Sequence, residues 1–104
     1  NLAISLAARY PDEVLLIDAS LQMGVCSALL NLEPTTTLLD AIEQRNRLDE
    51  PLIRQLTLPH ESGLLLLAAP TDPVAASDID DQSMTRLLNL SRRSYRYVVV
   101  DTFP

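Results

Sequence analysis

The 104-residue chain has no lysine, and all eight of its basic residues are arginine. It has two glycines, Gly24 and Gly63, far apart, and one cysteine, Cys26. Each shortage excludes something. A GxxxxGK[ST] phosphate-binding loop needs clustered glycine amides around phosphate and a lysine on the terminal phosphates, so this chain contains none. A single cysteine cannot close an internal disulfide, which makes a reducing cytoplasm the expected setting. No apolar run approaches membrane-spanning length, and the N-terminal segment lacks the basic leader of a signal peptide. A formal net charge of −6 argues against a nucleic-acid-binding face within this segment.

What is present is organised around Val14 to Gly24, VLLIDASLQMG. This is an apolar run that ends in a carboxylate, Asp18, and passes at once into a polar turn. Tyr97-Val98-Val99-Val100-Asp101 repeats the design at the end of the chain. Apolar runs that each deliver an aspartate describe buried parallel strands feeding a ligand-binding edge. At 47% hydrophobic residues the chain is globular, and its length allows one domain at most.

Taken in order, Asn1 to Tyr10 is apolar nearly all round and is expected to be a helix buried against a sheet. Pro11-Asp12 turns into a strand over Glu13 to Asp18. Gly24 to Leu32 is expected to form a short helix stopped by Glu33-Pro34. A second starts at Thr37, with Thr37 and Asp40 at capping-box spacing. A third starts at Asp49 with Pro51 in its first turn. Pro59 to Gly63 is expected to be a surface loop and Leu64 to Ala69 another doubly buried strand, ended by Pro70. Thr71-Asp72-Pro73 makes a turn. A helix from about Asp78 to Arg93 has acids first and arginines last, as the macrodipole favours, and Tyr95 to Asp101 is the final strand. Three apolar strands alternating with helices predict an α/β fold, a three-layer parallel sheet covered by helices on both faces. No internal repeat, low-complexity tract or linker divides it.

Asp18 and Asp101 both fall at the carboxyl ends of predicted parallel strands, the edge where open α/β sheets bind ligands. Magnesium with phosphate takes hard oxygen ligands, usually one or two carboxylates acting directly or through water. The plain alternative is that each aspartate makes a turn or caps the next helix. A phosphate loop, if one serves this pair, lies upstream of Asn1, because Asn1 to Tyr10 is the kind of buried helix that follows such a loop.

VLLIDASLQMG, followed by CSALLNLEPTTTLLDAI, GLLLLAAPTDP and YRYVVVDTFP, resembles the ParA/MinD class of deviant Walker-A ATPases. Within it, the resemblance is to the CpaE/TadZ branch associated with assembly of Flp/Tad pili, and it spans essentially the whole chain. The D-x-D-x-Q-x-G turn and the "LEP…TLLDAI" continuation are fairly specific, whereas VVVD-T-x-P is shared by the class. The resemblance implies a SIMIBI-type P-loop fold that is incomplete here. Residues 1–104 would be an internal fragment of one nucleotide-binding domain, lacking the P-loop strand and the C-terminal part.

The resemblance also implies roles. Asp101 would be the Walker-B aspartate holding Mg2+ through water, with Thr102 to Pro104 beginning the second switch. Asp18 would lie near the metal and the attacking water. The second aspartate of the family's first switch falls on Ser20, which cannot act as a carboxylate base, so hydrolysis is expected to be weak while nucleotide binding is kept. Gln22, Met23 and Gly24 match the rest of that switch and are expected to contact the nucleotide. The implied cofactors are ATP and Mg2+. The implied partners are a second copy in a homodimer and pilus, secretion or polar-localisation proteins. The expected place is the cytoplasm, peripheral to the inner membrane or at a cell pole.

Two other classes compete. A non-catalytic scaffold would keep the fold for localisation and protein contacts. A receiver-type signalling domain would want an acidic pair after the first strand and a later lysine, and neither is present. Among single residues, Cys26 is expected to be a small core residue and His60 a solvated loop residue. Arg92, Arg93 and Arg96 could form a basic patch, although a helix C-terminus favours cations anyway. Asp78 to Asp81 could ligate a metal, yet acids at a helix start are ordinary.

Overall fold

The computed structural model of the chain describes residues 2–18, 37, 40–41, 49–68 and 79–101. The described elements run α1 (Leu2–Arg9), β1 (Val14–Asp18), α2 (Glu50–Leu56), β2 (Leu58–Pro59), β3 (Leu64–Leu67), α3 (Asp81–Ser94) and β4 (Tyr97–Asp101). The strands form one sheet in the order β2-β3-β1-β4. β1 lies between β3 and β4 and is parallel to both, with Val14 opposite Leu64 and Tyr97, and Ile17 opposite Leu67 and Val100.

Period-2 geometry sends alternate side chains of β1 to opposite faces. Leu15 and Ile17 join Ile53 and Leu56 of α2, Leu87 of α3 and Tyr95 in one core cluster. Val14 and Leu16 join Ala3 and Ala7 of α1, with Leu64, Leu66 and Ala68, in the other. Helices therefore cover both faces, and the expected three-layer α/β arrangement holds. All of β1 is buried: its four apolar residues as a strand between two neighbours should be, and Asp18 with them.

Caps fix the helix starts. Asp49 caps α2 by accepting from Leu52 N at 2.9 Å, with Pro51 in the first turn. Asp80 caps α3 by accepting from Ser83 N at 2.7 Å. The expected start of that helix at Asp78 lies outside the described residues, and the observed first helical residue is Asp81. Thr37 N donates to the Asp40 carboxylate at 2.7 Å, which is the backbone half of the expected capping box. The predicted helix over Gly24 to Leu32, with Cys26, lies outside the described residues.

Three expectations are corrected. First, Leu58–Pro59 is a short strand, antiparallel to β3, rather than the lead into a loop. His60 N donates to Leu64 O at 2.8 Å and closes the turn. Proline is tolerated because β2 is an edge strand. Second, β4 is not doubly buried: Tyr97 is 38% and Val100 37% exposed. β1 pairs with one side of β4, and no described strand pairs with the other. Third, α1 is buried against the sheet as expected, but its nearly all-round apolar surface is covered on one side only. Ala3 and Ala7 face the sheet, while Leu2 on the outer side is 68% exposed.

The turn joining α1 to β1 has a close packing constraint. Asp12 takes a left-handed backbone conformation with φ 64°, and its N–H donates to Gly63 O at 2.8 Å. Gly63 itself has φ +90°, and a Cβ there would meet Pro11 Cβ at 2.8 Å and Ala7 O at 3.3 Å. Glycine is required on both counts.

Candidate functional site

Each of β1 and β4 spends four apolar residues crossing the sheet and then presents an aspartate at its carboxyl end. The parallel register places Asp18 directly opposite Asp101. Register partners on adjacent parallel strands point to the same face. Counting back in twos through Leu16 and Val14, and through Val99, that face is the one covered by α1. The two strand-end acids of the sequence are therefore brought together.

Their surroundings differ. Asp18 is fully buried, while Asp101 is exposed on the edge strand. A carboxylate taken fully out of water needs a partner to offset lost hydration, and neither Asp18 nor Asp101 lacks one. α1 runs into β1 through the short Tyr10–Glu13 turn, so its chain direction opposes that of β1. Its amino end thus faces the same edge as the aspartates, where helix N–H groups and the macrodipole favour anions.

Two acids on one face, one buried and one open to solvent, are the donor chemistry of a magnesium ion that keeps several waters and shares phosphate oxygens. Among the described residues no group of three or more acid, histidine or cysteine side chains could hold a metal by itself. A metal held by this pair would need further ligands beyond these two carboxylates. Ser20, Gln22, Met23 and Gly24 lie outside the described residues.

The remaining candidates resolve into structural roles. His60 is half-buried rather than solvated: its Nδ1 lies 2.7 Å from Ser62 Oγ and accepts from Ser62 N at 3.2 Å. Ser62 Oγ in turn accepts from Leu64 N at 3.3 Å, so the pair clips the turn between β2 and β3. Asp80 and Asp81 serve the start of α3. Arg96 lies over the Tyr10 ring at 4.3 Å, with Arg9 at 5.6 Å from the same ring. Tyr10 in turn packs against Tyr97 with ring centroids 5.4 Å apart, a cation–π cluster near the amino ends of β1 and β4. Arg96 is accounted for there, separately from Arg92 and Arg93. Sequence reasoning missed Arg86, which shares an outward stripe of α3 with Arg93; their seven-residue spacing was the available signal.

No protein-family model and no curated protein matches the chain. Solved structures do. A ParA family ATPase from Chlorobium tepidum superposes with a TM-score of 0.83 at 24% identity, covering 96% of this chain and 43% of that one. A cobyrinic acid a,c-diamide synthase from Mycobacterium smegmatis, with bound ATP analogue and magnesium, gives 0.68 at 16% identity, covering 96% and 42%. A chain of the MinC:MinD cell division protein complex from Aquifex aeolicus gives 0.56 at 25% identity, covering 96% and 39%. The chain spans less than half the length of each of these structures. Strand order, helix placement and these superpositions agree: the chain has the α/β fold of the matched parts of the ParA- and MinD-type structures.

Proposed function

We propose that this chain is part of an ATP-binding protein of the ParA/MinD type, in which Asp18 and Asp101 hold Mg2+ against the nucleotide phosphates. The observation that carries the reading is the in-register pair at the carboxyl edge of β1 and β4. Asp101, exposed, would hold the ion, and Asp18, buried beside it, would add negative field at the same strand edge. The bound ion neutralises phosphate charge. The chain has no lysine or glycine-rich loop for the phosphates, so this reading needs those groups from outside residues 1–104. No described strand pairs with the outer flank of β4, where Val100 is exposed, which leaves room for a further strand there.

The finer assignment is to the CpaE/TadZ pilus-assembly branch, acting as a nucleotide-dependent homodimer switch with pilus, secretion or polar-localisation partners. It rests on the LQMG turn and the LEP…TLLDAI continuation. ATP hydrolysis is weak, because serine at position 20 cannot supply the carboxylate of the first switch. The same residue favours a second reading, a scaffold that keeps the fold without turnover.

The full-length protein decides between them by calorimetric titration with ATP, with and without Mg2+. Saturable, Mg2+-dependent binding supports the switch, and absence of binding leaves the scaffold. Ser20→Asp is expected to raise turnover at least tenfold. Unchanged turnover would remove Ser20 from the account of weak hydrolysis.

A further inference from the structure

Three guanidinium groups on the outer side of α3 have no place in the metal site or the core. Arg86, Arg92 and Arg93 are exposed, and none pairs with a described carboxylate. The ordinary explanation of helix arginines is an i±3 or i±4 acid, yet those positions hold Gln82, Ser83, Leu88, Asn89, Leu90, Tyr95, Arg96 and Tyr97. The macrodipole accounts for Arg92 and Arg93 in the last turn. It does not account for Arg86, in the middle of the helix. Arg86 and Arg93 lie seven residues apart, so about 20° in azimuth and about 10 Å along the axis separate them. Asn89 sits between them and Arg92 flanks them. This basic stripe, without a carboxylate partner among the described residues, stands out on a chain of net charge −6 with fourteen acidic residues.

We propose that the outer stripe of α3 docks an acidic helical segment of a partner protein, with carboxylates at i, i+3 or i+4, and i+7. Guanidinium forks donate to carboxylates in bidentate geometry, and Asn89 supplies a neutral donor and acceptor between them. Charge complementarity selects this occupant over two others. Insertion into a lipid surface needs large apolar side chains beside the basic ones. The exposed large apolar residues among those described are Leu2, Tyr97 and Val100, none of them on α3. Duplex DNA is a long polyanion, whose field meets the acidic remainder of the chain as well as the stripe. A short acidic helix meets the stripe, with Asp81 the one described acid lining the same groove at its amino end, and not the acidic remainder of the chain.

The test is fluorescence anisotropy of a labelled, end-capped helical peptide with glutamates at that spacing, titrated with the full-length protein at low salt. Saturable binding is expected, weakening at least tenfold in Arg86→Glu/Arg93→Glu, with that variant binding the lysine version of the peptide in its place. Arg86→Gln/Arg93→Gln gives the same loss without charge reversal, and thermal melts establish that both variants are folded. Equal binding by wild type and folded variants overturns the proposal. So does absence of saturable binding, or preference of the wild type for phosphatidylglycerol vesicles or duplex DNA over the glutamate peptide.

Discussion

Ser91 Oγ and Tyr95 Oη are buried with no hydrogen-bond partner among the described residues. A buried hydroxyl that gives up water and gains nothing opposes folding, whereas its removal leaves the packing of Cβ or ring intact. Ser91→Ala is therefore expected to stabilise the protein by up to about 1 kcal/mol, read from the urea midpoint; a loss of that size would mean the hydroxyl has a partner. For Tyr95, burial pushes the phenol pKa up, opposed in smaller part by the neighbouring Thr57 hydroxyl and the Arg54 guanidinium, 4.9 Å above the ring. Thr57 has its own hydrogen engaged with Arg54 O at 2.9 Å, so it offers the phenol little and burial dominates. The sign follows. The folded state prefers the neutral phenol, so stability is unaffected below the unfolded value near 10 and is lost as pH rises above it toward the folded value. The melting temperature of the wild type should fall above pH 10 more steeply than that of Tyr95→Phe, and parallel curves would contradict this.

At the scale of elements, caps and turns hold the site in register. Asp80→Ala removes the acceptor of Ser83 N and should cost about 1 kcal/mol, measured by denaturant titration. Gly63→Ala is more severe. It forces a side chain into φ +90° and against Pro11, at the point where the α1–β1 turn meets β3, and should cost about 2–4 kcal/mol. A cost below about 1 kcal/mol would mean that the turn shifts freely. These elements also show what could be read from the chain. Asp49 with Pro51, and acids before a stripe of Leu87 and Leu88, carry their starts in local chemistry, so both helices were legible. Leu58–Pro59 was not, because two residues have no periodicity and their strand character comes only from pairing with Leu65 and Leu66. His60 looked solvated for the same reason: the Ser62 clip forms only once the turn closes.

For the whole molecule, parallel order was readable because three uninterrupted apolar runs can be buried only inside a sheet covered on both faces. What could not be read was which strand stands at the edge. YVVVD has the composition of a central strand, and only its neighbours decide that Val100 meets solvent. The Asp18–Asp101 pair was legible as two strand ends, but their side-by-side register depends on β1 pairing with β4. β1 is the packing centre, and Leu15→Ala should cost about 2–5 kcal/mol, enough to threaten the fold of a marginally stable domain. The most direct test of the account is a Mn2+ titration of the full-length protein with ATP present, followed by electron paramagnetic resonance. One tightly bound ion per chain is expected, with affinity lowered at least tenfold in both Asp18→Asn and Asp101→Asn. Unchanged metal affinity in the two folded variants would contradict it.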